Sequence, residues 1–384
     1  MSALERAHEL LATWRDEVRR ELPPDAEIFD AHVHLGNDID GMAGSLDELL
    51  GMMDEYGVGR AFMFCLDEPD RHPAFRAPND RTLEFGERSG GRLIPFVRLD
   101  LNEDPVEEAI RCLDAGARGI KLHPRAQKIS LEDKRLPPVF EVAAQRKVPI
   151  LIHGGRGLPP IAAHLHALVE RCDGVQLIVA HAGIADMANL TARFAGTPGV
   201  FFDTSTWSPI DLLDFYRQMP PEQIVYASDY PYGRQPNSLL MAMRTARLAG
   251  FAEDDIRNLL GRNARRIADG EPPLEPSKPL GGDELTQPTI LARIHQYLSM
   301  ATPLMWTRQP DTLGVLGLAL NTCDSPSNGY REQTEQIREL IATAQVLWVA
   351  ALEEHEESER IRSSRFVSRL IHLADIVAVT AREH

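Results

Sequence analysis

The chain has 384 residues, of which 43% are hydrophobic and 26% are charged, and this globular mixture excludes wholesale disorder. It carries 41 Lys and Arg residues against 57 Asp and Glu residues, which gives a formal net charge of −16. Because clustered basic residues bind nucleic acids and anionic membranes, this balance argues against both kinds of partner. The length predicts two to three domains, although one α/β barrel can take about 250 residues.

The cysteines and the N-terminus indicate the cellular setting. Four cysteines lie far apart and none forms a C-x-x-C pair, which argues against a disulfide framework and is typical of a reducing compartment. The stretch MSALERAHELLATWRDEVRR predicts a polar amphipathic helix rather than a signal peptide. The apolar runs are much shorter than the roughly 20 residues of a membrane-spanning helix. We therefore expect a soluble, cytoplasmic protein.

Short β-branched or aromatic runs recur between residues 27 and 229, each followed by turn residues and a stretch of helical period. The runs are EIFDAHVHL, RAFMFCL, RLIPFVRL, RGIKLHP, VPILIHGG, VQLIVAHAG, GVFFDTS and QIVYASDYP. Their spacing is that of βα units, and several are apolar on both faces, as buried parallel strands are. The pattern predicts an α/β fold, a (β/α)8 TIM barrel. A doubly wound open sheet is the alternative, but the chain has no G-x-G-x-x-G motif.

The composition changes after residue 268. Residues 254–268 predict a closing amphipathic helix, and the Pro- and Gly-rich stretch GEPPLEPSKPLGGDE that follows predicts a linker. Beyond it, apolar residues recur at helical spacing near 289–304, 312–320, 337–352 and 366–377. We expect a barrel with an N-terminal helix over 1–270, a linker over 271–284 and an all-helical C-terminal domain over 285–384. The apolar stripes of that domain could support a homo-oligomer.

Polar side chains stand at the ends of several predicted strands, where barrels of this kind carry their catalytic groups. The first run contains His32 and His34, whose i, i+2 spacing on a strand points both imidazoles to one side. His153, His181 and Asp229 end the fifth, sixth and eighth runs. Imidazoles and a carboxylate that converge on one mouth predict a divalent metal site, with Zn²⁺ preferred and Mn²⁺ or Fe²⁺ as alternatives.

Two neighbouring features test this interpretation. His164 and His166 have the same H-x-H spacing, but they lie in a predicted helix, where such residues project about 200° apart and cannot share a ligand. Asp30, two residues before His32, could orient an imidazole or could serve the start of the strand.

The motifs DAHVHLG, PILIHGG, LIVAHAG and YASDYP, in this order and spacing, resemble the amidohydrolase superfamily. They are most similar to its amidohydrolase-related (amidohydrolase 2) branch of metal-dependent enzymes, over roughly residues 27–268. The resemblance implies that His32, His34, His153 and Asp229 bind the metal, and that Asp229 also takes a proton from water. It implies that His181 either binds the metal or stands beside it as a proton-transfer group.

The resemblance also draws attention to the fourth run. Lys121 matches a lysine that is carboxylated and bridges two metals in binuclear members, so a two-metal site stays open. We expect Arg98, Lys121 and His123 to contact the substrate, and such a positive cluster suits a carboxylate or another small anion. Arg125 and Arg156 either join this cluster or are solvated loop charges.

Three functions remain compatible with the sequence. The first is a metal-dependent hydrolase that opens an amide, lactam or lactone bond in a small carboxylated molecule. The second is a metal-dependent, non-oxidative decarboxylase of a small carboxylic acid that uses the same site. The third is a non-catalytic barrel whose helical domain binds a partner.

Overall fold

The computed structural model describes residues 2–281, 286–307, 309, 311–325 and 329–382. For residues 306 and 357–362 it describes the backbone only. The chain divides into two compact units. The sheet unit comprises Leu22–Thr206 and Asp211–Gly281. The helical unit comprises residues 2–21, Trp207–Ile210 and the described residues from 286 onward.

The described residues form one curled sheet of nine strands, in the order β2-β1-β3-β4-β5-β6-β7-β8-β9. The strands are β1 (Ile28–Asn37), β2 (Ala43–Gly44), β3 (Val58–Cys65), β4 (Leu93–Arg98), β5 (Gly119–Leu122), β6 (Pro149–Ile152), β7 (Gln176–Val179), β8 (Val200–Asp203) and β9 (Ile224–Val225). All neighbours are parallel except β2, which is antiparallel to β1. Each predicted run forms a strand, and the short β2 was not predicted.

One helix precedes the strands, and the others come between and after them. In chain order they are α1 (Ala3–Glu21), α2 (Leu46–Tyr56), α3 (Arg76–Arg88), α4 (Pro105–Asp114), α5 (Pro124–Gln127), α6 (Leu136–Arg146), α7 (Ala162–Arg171), α8 (Met187–Phe194), α9 (Pro209–Gln218), α10 (Asn237–Ala249), α11 (Glu253–Arg257), α12 (Asn263–Ala268), α13 (Thr289–Trp306), α14 (Asp311–Cys323), α15 (Arg331–Glu353) and α16 (Glu357–Thr380). None of these described helices combines the length and the apolar character that crossing a membrane requires.

The sheet encloses an apolar core and leaves its polar residues at the strand ends. The enclosed side chains are fully or almost fully buried and come from β1, β3, β4 and β6–β9: Phe29, Phe62, Phe96, Leu151, Ile178, Phe201 and Val225. At the end of the sheet, the backbone N–H groups of Ala31 and His34 donate to the carbonyls of Tyr226 and Tyr230, at 2.8 and 2.7 Å. Backbone hydrogen bonds therefore link β1 to the segment that begins at the end of β9.

A β-bulge on β1 sets the direction of the first site histidine. Asp30 pairs with Ala61 and Val33 pairs with Met63, so Ala31 and His32 together lie opposite the single residue Phe62. An extra residue in one strand re-aims the side chains around it. Sequence alternation alone does not reveal this bulge.

The helical unit contains α13–α16 and also α1, which we had expected to belong to the barrel domain. The apolar face of α1 is buried, and the helix packs against α15 and α16. The ring of His8 lies 4.7 Å from that of Phe366, and Arg6 pairs with Glu339. An amphipathic helix joins whichever apolar surface complements it, and here that surface comes from the far end of the chain. Within the predicted linker, residues 271–281 form neither helix nor strand, and 282–285 lie outside the described residues.

Candidate metal centre

His32, His34 and Asp229 bring three ligand atoms together in a buried cluster. His32 Nε2 lies 3.1 Å from His34 Nε2 and 3.3 Å from Asp229 Oδ1, and His34 Nε2 lies 3.4 Å from the same oxygen. Asp229 has a φ of 58°, in the left-handed region that non-glycine residues avoid. Its N–H donates to the carbonyl of His32 at 3.0 Å. A hydrogen bond to β1 thus holds the backbone of Asp229 in a strained conformation. Such strain clusters at functional sites.

Sequence reasoning missed Asp203, the fully buried residue that ends β8. Its Oδ2 lies 2.7 Å from Nδ1 of His32, so it accepts the Nδ1–H and leaves Nε2 of His32 with a lone pair. Its Oδ1 accepts the backbone N–H of His181 at 2.8 Å and the hydroxyl of Ser205 at 2.6 Å. The sequence did contain an indication of this residue. In the run GVFFDTS an Asp follows the apolar residues, as His153 and His181 follow the apolar residues of their runs.

The cluster fits one face of a tetrahedral metal site. Zinc bonds of about 2.0–2.1 Å place tetrahedral ligands about 3.3 Å apart, close to the separations of the three atoms. Burial, followed by the charge of Lys121, lowers the pKa of His32 well below its usual value, so the imidazole is neutral. Burial likewise lowers the pKa of His34. Two imidazole nitrogens and a carboxylate oxygen are donor types that zinc prefers in proteins, and the donor set therefore suits a divalent metal.

His153 and His181 lie side by side next to this cluster. His181 Nε2 is 3.0 Å from His153 Nδ1, and the His181 ring lies 5.1 Å from that of His32. His181 Nδ1 lies 2.8 Å from Ser205 Oγ, whose own hydrogen is donated to Asp203, so Nδ1 is the donor and Nε2 is unprotonated. The φ of His181 is 59°, again in the left-handed region. His153 Nε2 is buried and makes no hydrogen bond to any described residue.

Lys121 and His123 approach the same histidines from β5. Lys121 Nζ lies 3.2 Å from His32 Nε2, and burial lowers the pKa of this amine to about 7. The ring of His123 stacks on that of His153 with centroids 3.9 Å apart. His123 Nδ1 accepts the N–H of Ala126 at 3.2 Å, so its hydrogen is on Nε2. Both predicted substrate contacts therefore lie beside the metal candidates.

The predicted arginines separate into two groups. Arg98 ends β4 as the register partner of Lys121 and is buried. Arg125 and Arg156 are exposed. The two exposed residues thus have the solvated character that the sequence left open, and Arg98 is the guanidinium that the fold encloses.

The second H-x-H pair, His164 and His166, and the acid Asp30 lie outside the ligand cluster. His164 and His166 lie on α7 with 39% and 35% of their side chains exposed, apart from the cluster. Asp30 Oδ1 accepts the backbone N–H groups of His32 at 3.2 Å and Ser228 at 2.9 Å, so it fixes backbone rather than an imidazole. Burial raises the pKa of Asp30 to about 7.

Comparisons with known proteins place the sheet unit in a family. The family model described as Amidohydrolase matches residues 29–267, which is more than half of the chain. No curated protein sequence matches it. Similar solved structures include IDCase of Metarhizium anisopliae in apo form, at 15% identity over 64% of this chain and 98% of that chain, with a TM-score of 0.49.

Two further solved structures show the same low level of similarity. One is described as a probable 2-pyrone-4,6-dicarboxylic acid hydrolase of Acinetobacter baumannii with citric acid bound, at 12% identity over 63% of this chain and 99% of that chain (TM-score 0.49). The other is 4-oxalomesaconate hydratase of Rhodopseudomonas palustris, at 17% identity over 63% of this chain and 96% of that chain (TM-score 0.45). The match of the family model over residues 29–267 shows that the chain belongs to the amidohydrolase family.

Proposed function

We propose that the chain is a metal-dependent hydrolase that cleaves an amide, lactam or lactone bond in a small anionic molecule. The observation that carries the proposal is the mutual approach of three buried ligand atoms from His32, His34 and Asp229, at 3.1, 3.3 and 3.4 Å. The backbone hydrogen bonds between β1 and the segment at the end of β9 support a closed (β/α)8 barrel as the scaffold.

The proposed centre holds one divalent cation, with Zn²⁺ preferred and Mn²⁺ or Fe²⁺ as alternatives. His32 and His34 would bind it through Nε2, Asp229 through Oδ1, and His153 would be the fourth ligand. His153 is suited to this because its buried Nε2 has no partner in the described part of the chain. When bound, the cation would supply Lewis-acid chemistry, which lowers the pKa of a water and polarises a carbonyl.

The residues around the cluster have complementary roles in this proposal. Asp229 would keep Oδ1 for the cation and take the proton of the attacking water on Oδ2. His181 Nε2 is unprotonated, so it would receive this proton from Asp229 and pass it to the leaving group, while Ser205 and Asp203 hold its ring and backbone. Lys121 would stabilise negative charge that develops on the carbonyl oxygen.

The chain offers a matched control for metal binding, because it contains one H-x-H pair on a strand and another on a helix. Protein saturated with Zn²⁺ and then dialysed should contain about one equivalent by elemental analysis. His34→Ala should lose this zinc, whereas His166→Ala should keep it. A content near two equivalents would instead indicate a second cation at Lys121, and zinc in trace amounts only would refute the proposal.

The reaction itself is tested with a panel of small carboxylated lactones, lactams and amides in ¹⁸O-labelled water. Hydrolysis should place the labelled oxygen in the new carboxylate, and the rate should fall when zinc is removed. Release of carbon dioxide without incorporation of the label would contradict a hydrolase and favour the decarboxylase.

A further inference from the structure

A second group of metal-ligand side chains lies on two loops that follow neighbouring strands. His72 stands between β3 and α3, and Asp100 and Glu103 stand between β4 and α4. One ligand atom from each of these residues lies within 4.8 Å of the other two. None of the three belongs to the cluster that contains His32. We call His72, Asp100 and Glu103 the loop triad.

The ligand atoms of the loop triad have separations that a metal ion can span. His72 Nδ1 lies 3.2 Å from Glu103 Oε2 and 3.9 Å from Asp100 Oδ2. Tetrahedral ligands of zinc lie about 3.3 Å apart. The first separation therefore already fits, and the second needs only a small rotation of an acid side chain.

Local hydrogen bonds hold both carboxylates of the loop triad. Asp100 Oδ1 accepts the backbone N–H of Asn102 at 2.8 Å and its Nδ2 at 3.0 Å, which leaves Oδ2 for a cation. Glu103 Oε2 accepts the backbone N–H of Ala74 at 2.5 Å, and Oε1 lies 3.3 Å from His72 Nδ1. The bond from Ala74, followed by that to His72, holds the pKa of Glu103 below its usual range. Both acids are thus oriented, and Glu103 binds a cation without first losing a proton.

The charge of the loop triad favours a divalent cation over a simple ion pair. A protonated His72 would bring one positive charge to two carboxylates and leave one negative charge unbalanced. Arg135 lies within electrostatic range of Asp100, but its guanidinium is paired with Asp133 at 2.6 and 2.9 Å. A divalent cation would balance both carboxylates and would bind the neutral form of the imidazole.

The imidazole narrows the class of cation. Mg²⁺ and Ca²⁺ prefer oxygen ligands, whereas one nitrogen with two carboxylates suits Zn²⁺ and its first-row neighbours. The side chain of His72 is 55% exposed, and the protein supplies only three ligands. A cation on the loop triad would therefore exchange with solvent more readily than one in the buried centre.

We propose that the loop triad is a second, exchangeable site for a transition-metal dication such as Zn²⁺. Because β3 and β4 are parallel, both loops lie at the same end of the sheet. The cation would therefore join the loop after β3 to the loop after β4.

Calorimetry on zinc-loaded and dialysed protein tests this site, because dialysis empties an exchangeable site before the titration. Added Zn²⁺ should then bind at about one further equivalent, and Mg²⁺ should bind at least about tenfold more weakly. His72→Ala and Glu103→Gln should each weaken the second event by at least about tenfold, since even residues that only orient metal ligands are worth about 10- to 100-fold. Glu103→Gln keeps an oxygen that can accept the N–H of Ala74, so the loop should stay in place.

His166→Ala is the matched control for the loss of an exposed histidine. His166 Nδ1 lies 3.3 Å from a carboxylate oxygen of Glu170, and its side chain is also partly exposed. Among the described residues, however, this pair belongs to no group of three ligands. The second zinc event should therefore be unchanged in His166→Ala.

Hydrogen exchange shows where the second equivalent binds. Added Zn²⁺ should slow amide exchange in residues 67–74 and 99–104 of the wild type, because the cation joins these loops. The same addition should leave their exchange unchanged in His72→Ala. Slowing confined to other parts of the chain would overturn the assignment to the loop triad.

Three further results would overturn the proposal. One is the lack of a second zinc event in the wild type, and another is Mg²⁺ binding as tight as that of Zn²⁺. Neither comparison depends on any variant folding. The third is a second event of wild-type affinity in His72→Ala.

The same samples keep this inference separate from the proposed function. Zinc that remains after dialysis reports the buried centre, whereas zinc that binds afterwards reports the loop triad. Protein that retains no zinc but shows an event that depends on His72 would support the loop triad and refute the metal-dependent hydrolase. Protein that retains one equivalent and binds no more would overturn the loop triad alone.

Discussion

The Oδ2 atom of Asp203 lies 2.7 Å from Nδ1 of His32, while its Oδ1 accepts the backbone N–H groups of His181 and Ser205 at 2.8 and 3.0 Å. One buried carboxylate thus fixes the hydrogen of one histidine and the backbone of another. A metal-binding imidazole needs such a partner, because the atom that faces the metal must be unprotonated.

Asp203→Asn should lower the affinity for Zn²⁺ by about 10- to 100-fold. The amide Oδ1 can still accept the donors from His181 and Ser205, so we expect the fold to survive. The amide Nδ2 would face His32 Nδ1 and cannot accept its hydrogen, which drives His32 to the Nε2–H form. Competition with a chromophoric chelator measures the affinity, and ¹⁵N spectra of labelled histidine report the change of tautomer.

Asp186→Asn is the control for this experiment. Asp186 Oδ2 also accepts two backbone N–H groups, those of Ile161 and Ala162 at 2.9 and 2.8 Å, but it holds no imidazole. The zinc affinity of this variant should be unchanged. If Asp203→Asn binds zinc as tightly as the wild type, the positioning role of Asp203 is wrong.

Gly155→Ala should weaken zinc binding by crowding two histidines. A Cβ at this position would lie 2.7 Å from Cε1 of His153 and 2.8 Å from Cδ2 of His181. The His153 ring cannot yield freely, because the ring of His123 stacks against it. A ligand displaced by about 1 Å can cost about a hundredfold in function, so we expect a loss of at least about tenfold in zinc affinity.

The control is Gly51→Ala on the exposed side of α2, where an added Cβ meets nothing within 4 Å. This substitution should raise the free energy of unfolding by about 0.5–1 kcal/mol, because alanine favours a helix over glycine. Wild-type zinc affinity in Gly155→Ala would show that the pair His153 and His181 contributes nothing to the centre.

The carboxyl of Asp30 should make the stability of the metal-free protein depend on pH. Burial raises its pKa to about 7, whereas an unfolded chain keeps a value of about 3.9. Between these values the folded state binds a proton that the unfolded state lacks. The contribution of Asp30 to stability is therefore present below about pH 4 and is lost as the pH rises through about 7.

Asp30→Asn should remove this dependence. Relative to the wild type, the variant should gain up to about 4 kcal/mol in the free energy of unfolding between pH 4 and 7. Urea unfolding of chelator-treated protein at several pH values in this window measures the difference. A constant difference between the two proteins would mean that Asp30 does not titrate there.

Much of the sheet unit could be predicted from local patterns. β-branched and aromatic runs of regular spacing form the parallel strands. Of the polar residues predicted at the strand ends, His32, His34 and Asp229 come together in one cluster. The strand or helix context also separates the pair His32 and His34 from the pair His164 and His166. These inferences need only the spacing of apolar and polar residues along the sequence.

What escaped prediction depends on contacts between distant residues. The bulge at Ala31 and His32 exists because β1 must pair with β3. The role of Asp203 depends on a residue 171 positions earlier, which the local pattern of its own strand does not show. Likewise, the amphipathic pattern of α1 predicts a helix but does not say which apolar surface the helix covers.

The helical unit allows a last prediction about a histidine outside the metal centre. His295 Nδ1 on α13 lies 2.6 Å from Asp375 Oδ1 on α16. Burial raises the pKa of Asp375, and the bond to His295 opposes this shift. Removal of one partner leaves the other buried without its partner. Asp375→Leu and His295→Leu should therefore each lower the free energy of unfolding by about 3 kcal/mol. The double variant should cost less than either, since an apolar pair leaves no unpaired polar group.

A double-mutant cycle by urea unfolding gives the coupling between the two residues. A coupling within about 0.5 kcal/mol of zero would contradict the paired role, because it would mean that the two substitutions act independently. A large coupling, with zinc content unchanged in all three variants, would separate the two uses of histidine in this chain. In the helical unit the imidazole satisfies a buried carboxylate, whereas in the sheet unit a buried carboxylate prepares the imidazole for a cation.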